Sequence, residues 1–204
     1  MSKLSILCLL TVSAFAQNES LGAFTNAGDV GDTSRKGSTE FDASNGQYRI
    51  SGSGANIWAK QDGNFAITAS MQFLGEGEAH RKAGIMFRQS LDADSPYADI
   101  VIHGNGMPGI QWRSNKGEST NTLDLPFDGP GKFKLKLVRN GVRILVSIAK
   151  DGTALKEIAH TEVTLRNPIF AGLVVCSHRA DASDTVVFSD VTVEQLAPPA
   201  GKKQ

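Results

Sequence analysis

The chain has 204 residues, with 21 Lys and Arg against 21 Asp and Glu, and 40% of its residues are hydrophobic. Balanced charge with no block of one sign leaves no electrostatic footprint for nucleic acid or for an acidic membrane surface, and neither is an expected partner. The length suits a single all-β domain.

At the N-terminus, Lys3, the apolar run 4–12 and Ala14-Phe15-Ala16 have the layout of a secretory signal peptide with an A-x-A cleavage site. The run is much shorter than the ~20 residues that span a bilayer, so export to the periplasm or medium is expected, without membrane insertion. Cys8 lies within that run behind Leu7, which does not suit lipidation. Cleavage after Ala16 removes 16 of 204 residues and leaves 188. The expected organisation is therefore a signal peptide at 1–16, a β-sandwich domain at 17–196 and a disordered, Pro-containing tail at 197–204. Cys176 then stands alone, so no internal disulfide can form and the core must supply stability. Within the apolar run 170–176 it is expected to be a buried, inert thiol.

Short alternating runs separated by turn residues, with no sustained helical period, predict an all-β, antiparallel two-sheet β-sandwich. Strands are expected at 39–42, 47–51, 65–74, 83–90, 98–103, 109–113, 120–125, 132–139, 143–150, 157–163, 169–177 and 185–195. Asn140-Gly141 and Asp151-Gly152 are two-residue hairpin signals, because a type I′ turn needs positive φ at both positions. Gly104-Asn105-Gly106 marks a longer turn, and the succession of hairpins predicts a mostly antiparallel meander.

Alternation assigns the faces. Phe133, Leu135 and Leu137 point inward between Lys134 and Lys136, and Ile144, Val146 and Ile148 continue that row. Val187, Val191 and Val193 are expected to close the core, with Ser189 interrupting them. From 82 to 113, Ala83, Ile85, Phe87, Ala98, Ile100, Ile102, Ile110 and Trp112 form the apolar face. The opposite face carries Arg88, Asp99, His103, Gln111 and Arg113, and it is expected to look outward to solvent. These five, with Trp58 at the edge, are the candidate ligand-binding residues of a polar groove. The competing reading is a sheet face laced by cross-strand charge pairs.

No catalytic residue is assigned. Glu76-Gly77-Glu78-Ala79-His80 is a charged loop, without the carboxylates on one strand that glycan cleavage uses. Asp92-Ala93-Asp94-Ser95 with Asp99 suggests calcium, yet it lacks the glycine and terminal glutamate of an EF-hand loop, and Asp and Ser bonding to backbone accounts for it. Asp181 and Asp184 are taken as loop residues in the same way. His80, His103, His160 and His178 have no zinc spacing and no companion cysteines, so no metal or other cofactor is expected. No Gly-x-Ser-x-Gly elbow is present.

The runs Gly54-Ala55-Asn56-Ile57-Trp58, 82–90, 109–113 and 172–178, with the closing Phe188-Ser189-Asp190-Val191, resemble bacterial concanavalin A-like lectin/glucanase domains. The segment 24–31 is similar to that family's first strand and turn. The resemblance implies a jelly-roll sandwich over nearly the whole mature chain, but no activity, since the superfamily holds binding modules, enzymes and domains of unknown role. One departure is the short segment 59–64, where relatives carry a longer aromatic stretch with its own strand. The expectation is thus a non-catalytic module binding carbohydrate or another cell-surface polymer. A glycan-cleaving jelly roll and a protein-interaction domain are the alternatives.

Overall fold

The computed structural model describes residues 21–126 and 129–197. The expected signal peptide, the first residues after it and the tail from 198 onward lie outside them. Every element among the described residues is a strand.

One sheet, sheet A, contains β1 (Asn26–Asp29), β4 (Ala55–Gln61), β6 (Lys82–Arg88), β7 (Tyr97–His103), β8 (Pro108–Arg113), β9 (Asn121–Asp124) and β13 (Ile169–Cys176). They run in the order β1-β4-β13-β6-β7-β8-β9. Sheet B contains β2 (Ser38–Asp42), β3 (Gln47–Gly52), β5 (Phe65–Leu74), β10 (Phe133–Asn140), β11 (Arg143–Lys150), β12 (Lys156–Glu162) and β14 (Asp184–Gln195). Their order is β12-β11-β10-β5-β14-β3-β2. Every pairing is antiparallel, and the two seven-stranded sheets form a jelly-roll β-sandwich.

The inner faces follow the alternation. Ile57, Leu173, Ile85, Ile100 and Ile110 lie in register across sheet A and are 0–1% exposed. Phe65, Ile67, Leu135, Leu137, Val146 and Phe188 oppose them from sheet B, with Phe65 and Phe87 in edge contact at 4.9 Å across the core. Trp112 is half-buried and packs against this cluster.

Four expectations are corrected. The meander holds only for β6–β9 and β10–β12, because the chain changes sheet between β1 and β2, β3 and β4, β4 and β5, β5 and β6, β9 and β10, β12 and β13, and β13 and β14. The crossing from β3 to β4 is so tight that a Cβ at Gly52 would lie 2.5 Å from the Ala55 Cβ. Ala55–Gln61 is a strand, β4, that the expected set lacked. In β14, Val186 and Phe188 fill the core, and Val187 lies on the outer face. A bulge between Ser189 and Thr192, with Asp190 at φ 52°, shifts the parity so that Val191 and Val193 turn back toward the core. Asp184 is not a loop residue either. It opens β14 and forms a 2.6 Å ion pair with Arg81, each side chain only 7% exposed.

Candidate functional site

The outer face of sheet A holds a groove of about 370 Å³. Its floor is formed by Asn56 on β4, Val174 and Cys176 on β13, Met86 and Arg88 on β6, and Tyr97 and Asp99 on β7. Strand register explains the grouping, since Met86 lies opposite Asp99, Arg88 opposite Tyr97 and Val174 opposite Asn56. Gly84 lies between them, where a Cβ would be 1.9 Å from the Ile100 carbonyl oxygen.

Two loops wall the groove. The segment Val30-Gly31-Asp32-Thr33 comes from the edge strand β1, tied by the Val30 N–H to the Gly54 carbonyl at 3.1 Å. The Asp29 carboxylate closes its base by accepting the Gly37 N–H at 3.0 Å. Gly31 meets Ala93 of the β6–β7 loop, a Cβ on Gly31 falling 3.5 Å from that of Ala93. Arg88 and Asp99, expected to look outward to solvent, are therefore covered at 7% and 4% exposed, and His103 is 5% exposed elsewhere on the face, whereas Gln111 and Arg113 are half-buried.

Buried polar groups normally find partners, and those left open mark a place of interest. Arg88 donates from Nε to the Ser90 carbonyl and from Nη2 to the Asp92 carbonyl, both at 2.6 Å. No hydrogen bond of its Nη1 is found among the described residues. Asp99 Oδ1 and Asn56 Oδ1 are buried without a hydrogen-bond partner there. Burial pushes the Asp99 carboxyl up to about 8, opposed by the Gln111 backbone N–H and by the charges of Lys82 and Arg88. Tyr97 is pushed up to about 12, first by burial and then by Asp99. At neutral pH the shift favours the protonated Asp99 carboxyl, and Tyr97 is uncharged.

The sequence-derived candidates separate into two kinds. Arg88, Asp99 and Arg113 all line the groove, but Arg113 braces rather than offers donors. Its Nη1 bonds the Ala93 and Ser95 carbonyls at 3.0 and 3.1 Å, its Nε bonds the Glu118 carbonyl at 2.7 Å, and its Nη2 reaches Thr120 Oγ1 at 3.3 Å. It also lies 5.4 Å from the Tyr97 ring. Gln111 is half-buried in register between Asp99 and Thr122, further along the face. Trp58 is half-buried on β4, edge-on to Phe170 at 6.5 Å, in a narrow cleft shared with Met86 and Arg88. His103 belongs to a different cavity, of about 160 Å³, with Arg81 and Phe73.

Asn56, Met86, Cys176 and the 30–33 loop were not legible as site residues. Cys176 is half-buried on the outer face and lines the groove, which corrects its expected place in the core. The structure also gathers three of the four histidines, with the His80 ring 5.7 Å from His103 and 5.5 Å from His178. Burial first, and then the charge of Lys82, lower the His103 pKa, and both its ring nitrogens lack partners. Among the described residues, no three His, Cys, Asp or Glu side chains are placed to hold a metal ion.

No protein-family model matches the chain, and no curated protein sequence does either. Solved structures of similar fold include a functionally unknown protein from Saccharomyces cerevisiae, with TM-score 0.62, 16% identity, and 80% of this chain and 93% of that one covered. The carbohydrate binding module CBM66 from Bacillus subtilis aligns with TM-score 0.53 and 19% identity, over 84% of this chain and 97% of the module. A mutant of the GH43 protein BlXynB from Bacillus licheniformis aligns with TM-score 0.61 and 12% identity over 84% of this chain, which spans 39% of that longer protein. At these identities the likeness is one of fold, a two-sheet antiparallel β-sandwich.

Proposed function

We propose that the protein is an exported glycan-binding module whose ligand lies in the groove on the outer face of sheet A. The observation that carries this reading is a walled cleft whose lining includes the buried, unpaired Asp99 Oδ1 and Asn56 Oδ1 and a guanidinium, Arg88, that is bonded through Nε and Nη2 only. A sugar presents hydroxyls that donate and accept at short spacing, and the apolar floor of Met86 and Val174 suits the C–H face of its ring. The CBM66 neighbour, a carbohydrate binding module, supports the reading through its shared architecture. Export rests on the pattern of Lys3, the 4–12 run and Ala14-Phe15-Ala16.

The test is a glycan array probed with the purified chain, followed by calorimetry on the glycans retained. Binding that is lost in an Arg88→Gln variant with an unchanged circular dichroism spectrum is expected. A folded chain that retains no glycan would refute the proposal. One observation favours a hydrolytic alternative. Asp32 lines the same groove as Asp99, and two carboxyls in unlike environments are the starting point for acid–base division. Release of reducing ends from a retained glycan, abolished in Asp32→Asn, would select that alternative.

A further inference from the structure

The groove is lined by two guanidiniums, Arg88 and Arg113, and two carboxyls, Asp32 and Asp99, and among the described residues none of the four forms an ion pair. Arg88 is a buried cation, and among the described residues no carboxylate forms an ion pair with it. Its Nε and Nη2 are committed to backbone carbonyls, which satisfy hydrogen bonds but bring no negative charge. Asp92, the nearest acidic residue along its loop, contributes its carbonyl to Arg88 while its carboxylate is drawn outward to Lys116 at 2.5 Å. Arg113, the second guanidinium of the groove, is also held by carbonyls alone apart from the Thr120 hydroxyl. A buried charge without a counter-charge is costly and favours whatever brings one.

Resting on the glycan-binding reading above, we propose that the groove selects sugars bearing a carboxylate, which pairs with the open side of Arg88 while Asp99 and Asn56 bond the neighbouring ring hydroxyls. A planar guanidinium with a free edge matches a carboxylate better than it matches a single hydroxyl. A neutral sugar of the same shape leaves Arg88 uncompensated.

The protonation state of Asp99 fits this division. With its pKa raised to about 8, its carboxyl is mainly protonated at neutral pH, where it both donates and accepts and does not repel a ligand carboxylate seated nearby. Above that pH it ionises and supplies the negative charge that the ligand would have brought. The other groups facing it are Lys82, Arg88 and Met86 on β6, Tyr97 on its own strand, Gln111 and Arg113 on β8, Asn56 on β4, Cys176 on β13, and Asp32 and Asp92 on the two loops. Tyr97 stays neutral, since burial raises it to about 12, and the bonds from Lys116 and Ser90 hold Asp92 ionised. Asp99 is thus the carboxyl whose charge changes between neutral and alkaline pH. One unit above a pKa of about 8, the competent protonated fraction is about a tenth, so affinity for an acidic sugar falls about tenfold by about pH 9.

Calorimetry with the full chain tests this, using trigalacturonate, its methyl ester, and a neutral xylo-oligosaccharide, alongside an array holding alginate, glucuronoxylan and sialylated glycans. The expected result is retention concentrated on carboxylate-bearing glycans, and loss of affinity on esterification that needs no protein variant to detect. The acidic ligand should also bind about tenfold more weakly at about pH 9 than at neutral pH, and Asp99→Asn should flatten that dependence. Neutral and esterified glycans bound as tightly as acidic ones would overturn the inference while leaving the glycan-binding reading intact. A folded chain that binds no glycan of either kind overturns both.

Discussion

Replacing Asp99 by Asn should make the protein's stability less dependent on pH, in a direction that the site fixes. The native carboxyl is raised from 3.8 to about 8 by burial, whereas in the unfolded chain it titrates near its ordinary value. Between those limits the native state holds a proton that the unfolded state has released. Stability therefore declines as pH rises through that window, by about 1.4 kcal/mol per pH unit, and levels off above it. Across the whole window the loss is on the order of 5 kcal/mol, with little screening because the side chain is 4% exposed. Asn keeps the shape and the hydrogen-bonding capacity and never ionises. Urea denaturation followed by tryptophan fluorescence, at steps from about pH 5 to about pH 9, gives both stability curves by linear extrapolation. His103 titrates in the opposite sense, stabilising above its unfolded pKa of 6.5 and less as pH falls below it, but it is common to both proteins and cancels in the difference. The variant should gain steadily on the parent up to about pH 8 and then hold constant. Parallel curves would show that Asp99 is hydrated in the native state and would refute its burial in the groove floor.

Three other outcomes follow from contacts in and around the site. Arg81→Leu or Asp184→Asn leaves one buried charge alone and should cost about 3–5 kcal/mol in thermal unfolding, whereas an apolar pair replacing both should cost less. Arg113→Lys removes the fork that clamps Ala93, Ser95 and Glu118, so amide exchange should quicken at 92–95 and glycan affinity fall with little change in Tm. Unchanged exchange there would deny Arg113 its bracing role. Cys176 should react with a thiol reagent in the free protein and be shielded by bound glycan, and equal labelling rates would place the ligand elsewhere.

Much of the architecture was legible because a half-buried strand writes its two faces in alternation. The rows from Ala83 to Trp112 and from Phe133 to Ile148 were assigned to the core by that period alone, and they lie there. β4 escaped because Ala55, Asn56 and Ala59 have weak strand preference and glycines precede them. Val187 was misplaced because period two cannot register an inserted residue, and the Asp190 bulge shifts parity without any apolar signal. Alternation also says which way a side chain points, not what covers it. Arg88 and Asp99 were found on the outer face, but the loops that bury them, 30–33 and 91–96, come from opposite sides of the sheet and meet only through the fold. The same distance in sequence hid Asn56 and Cys176 from the groove and kept His80, His103 and His178 apart.

The most direct measurement is a nitrogen–proton chemical-shift titration of the assigned protein with trigalacturonate at neutral pH. A ligand in the groove predicts the largest shifts at the amides of Gly31, Asn56, Arg88 and Asp99 and at the Arg88 side-chain N–H, with the outer face of sheet B unmoved. Shifts concentrated on sheet B or along the β12 edge, with those of the groove unchanged, would contradict it.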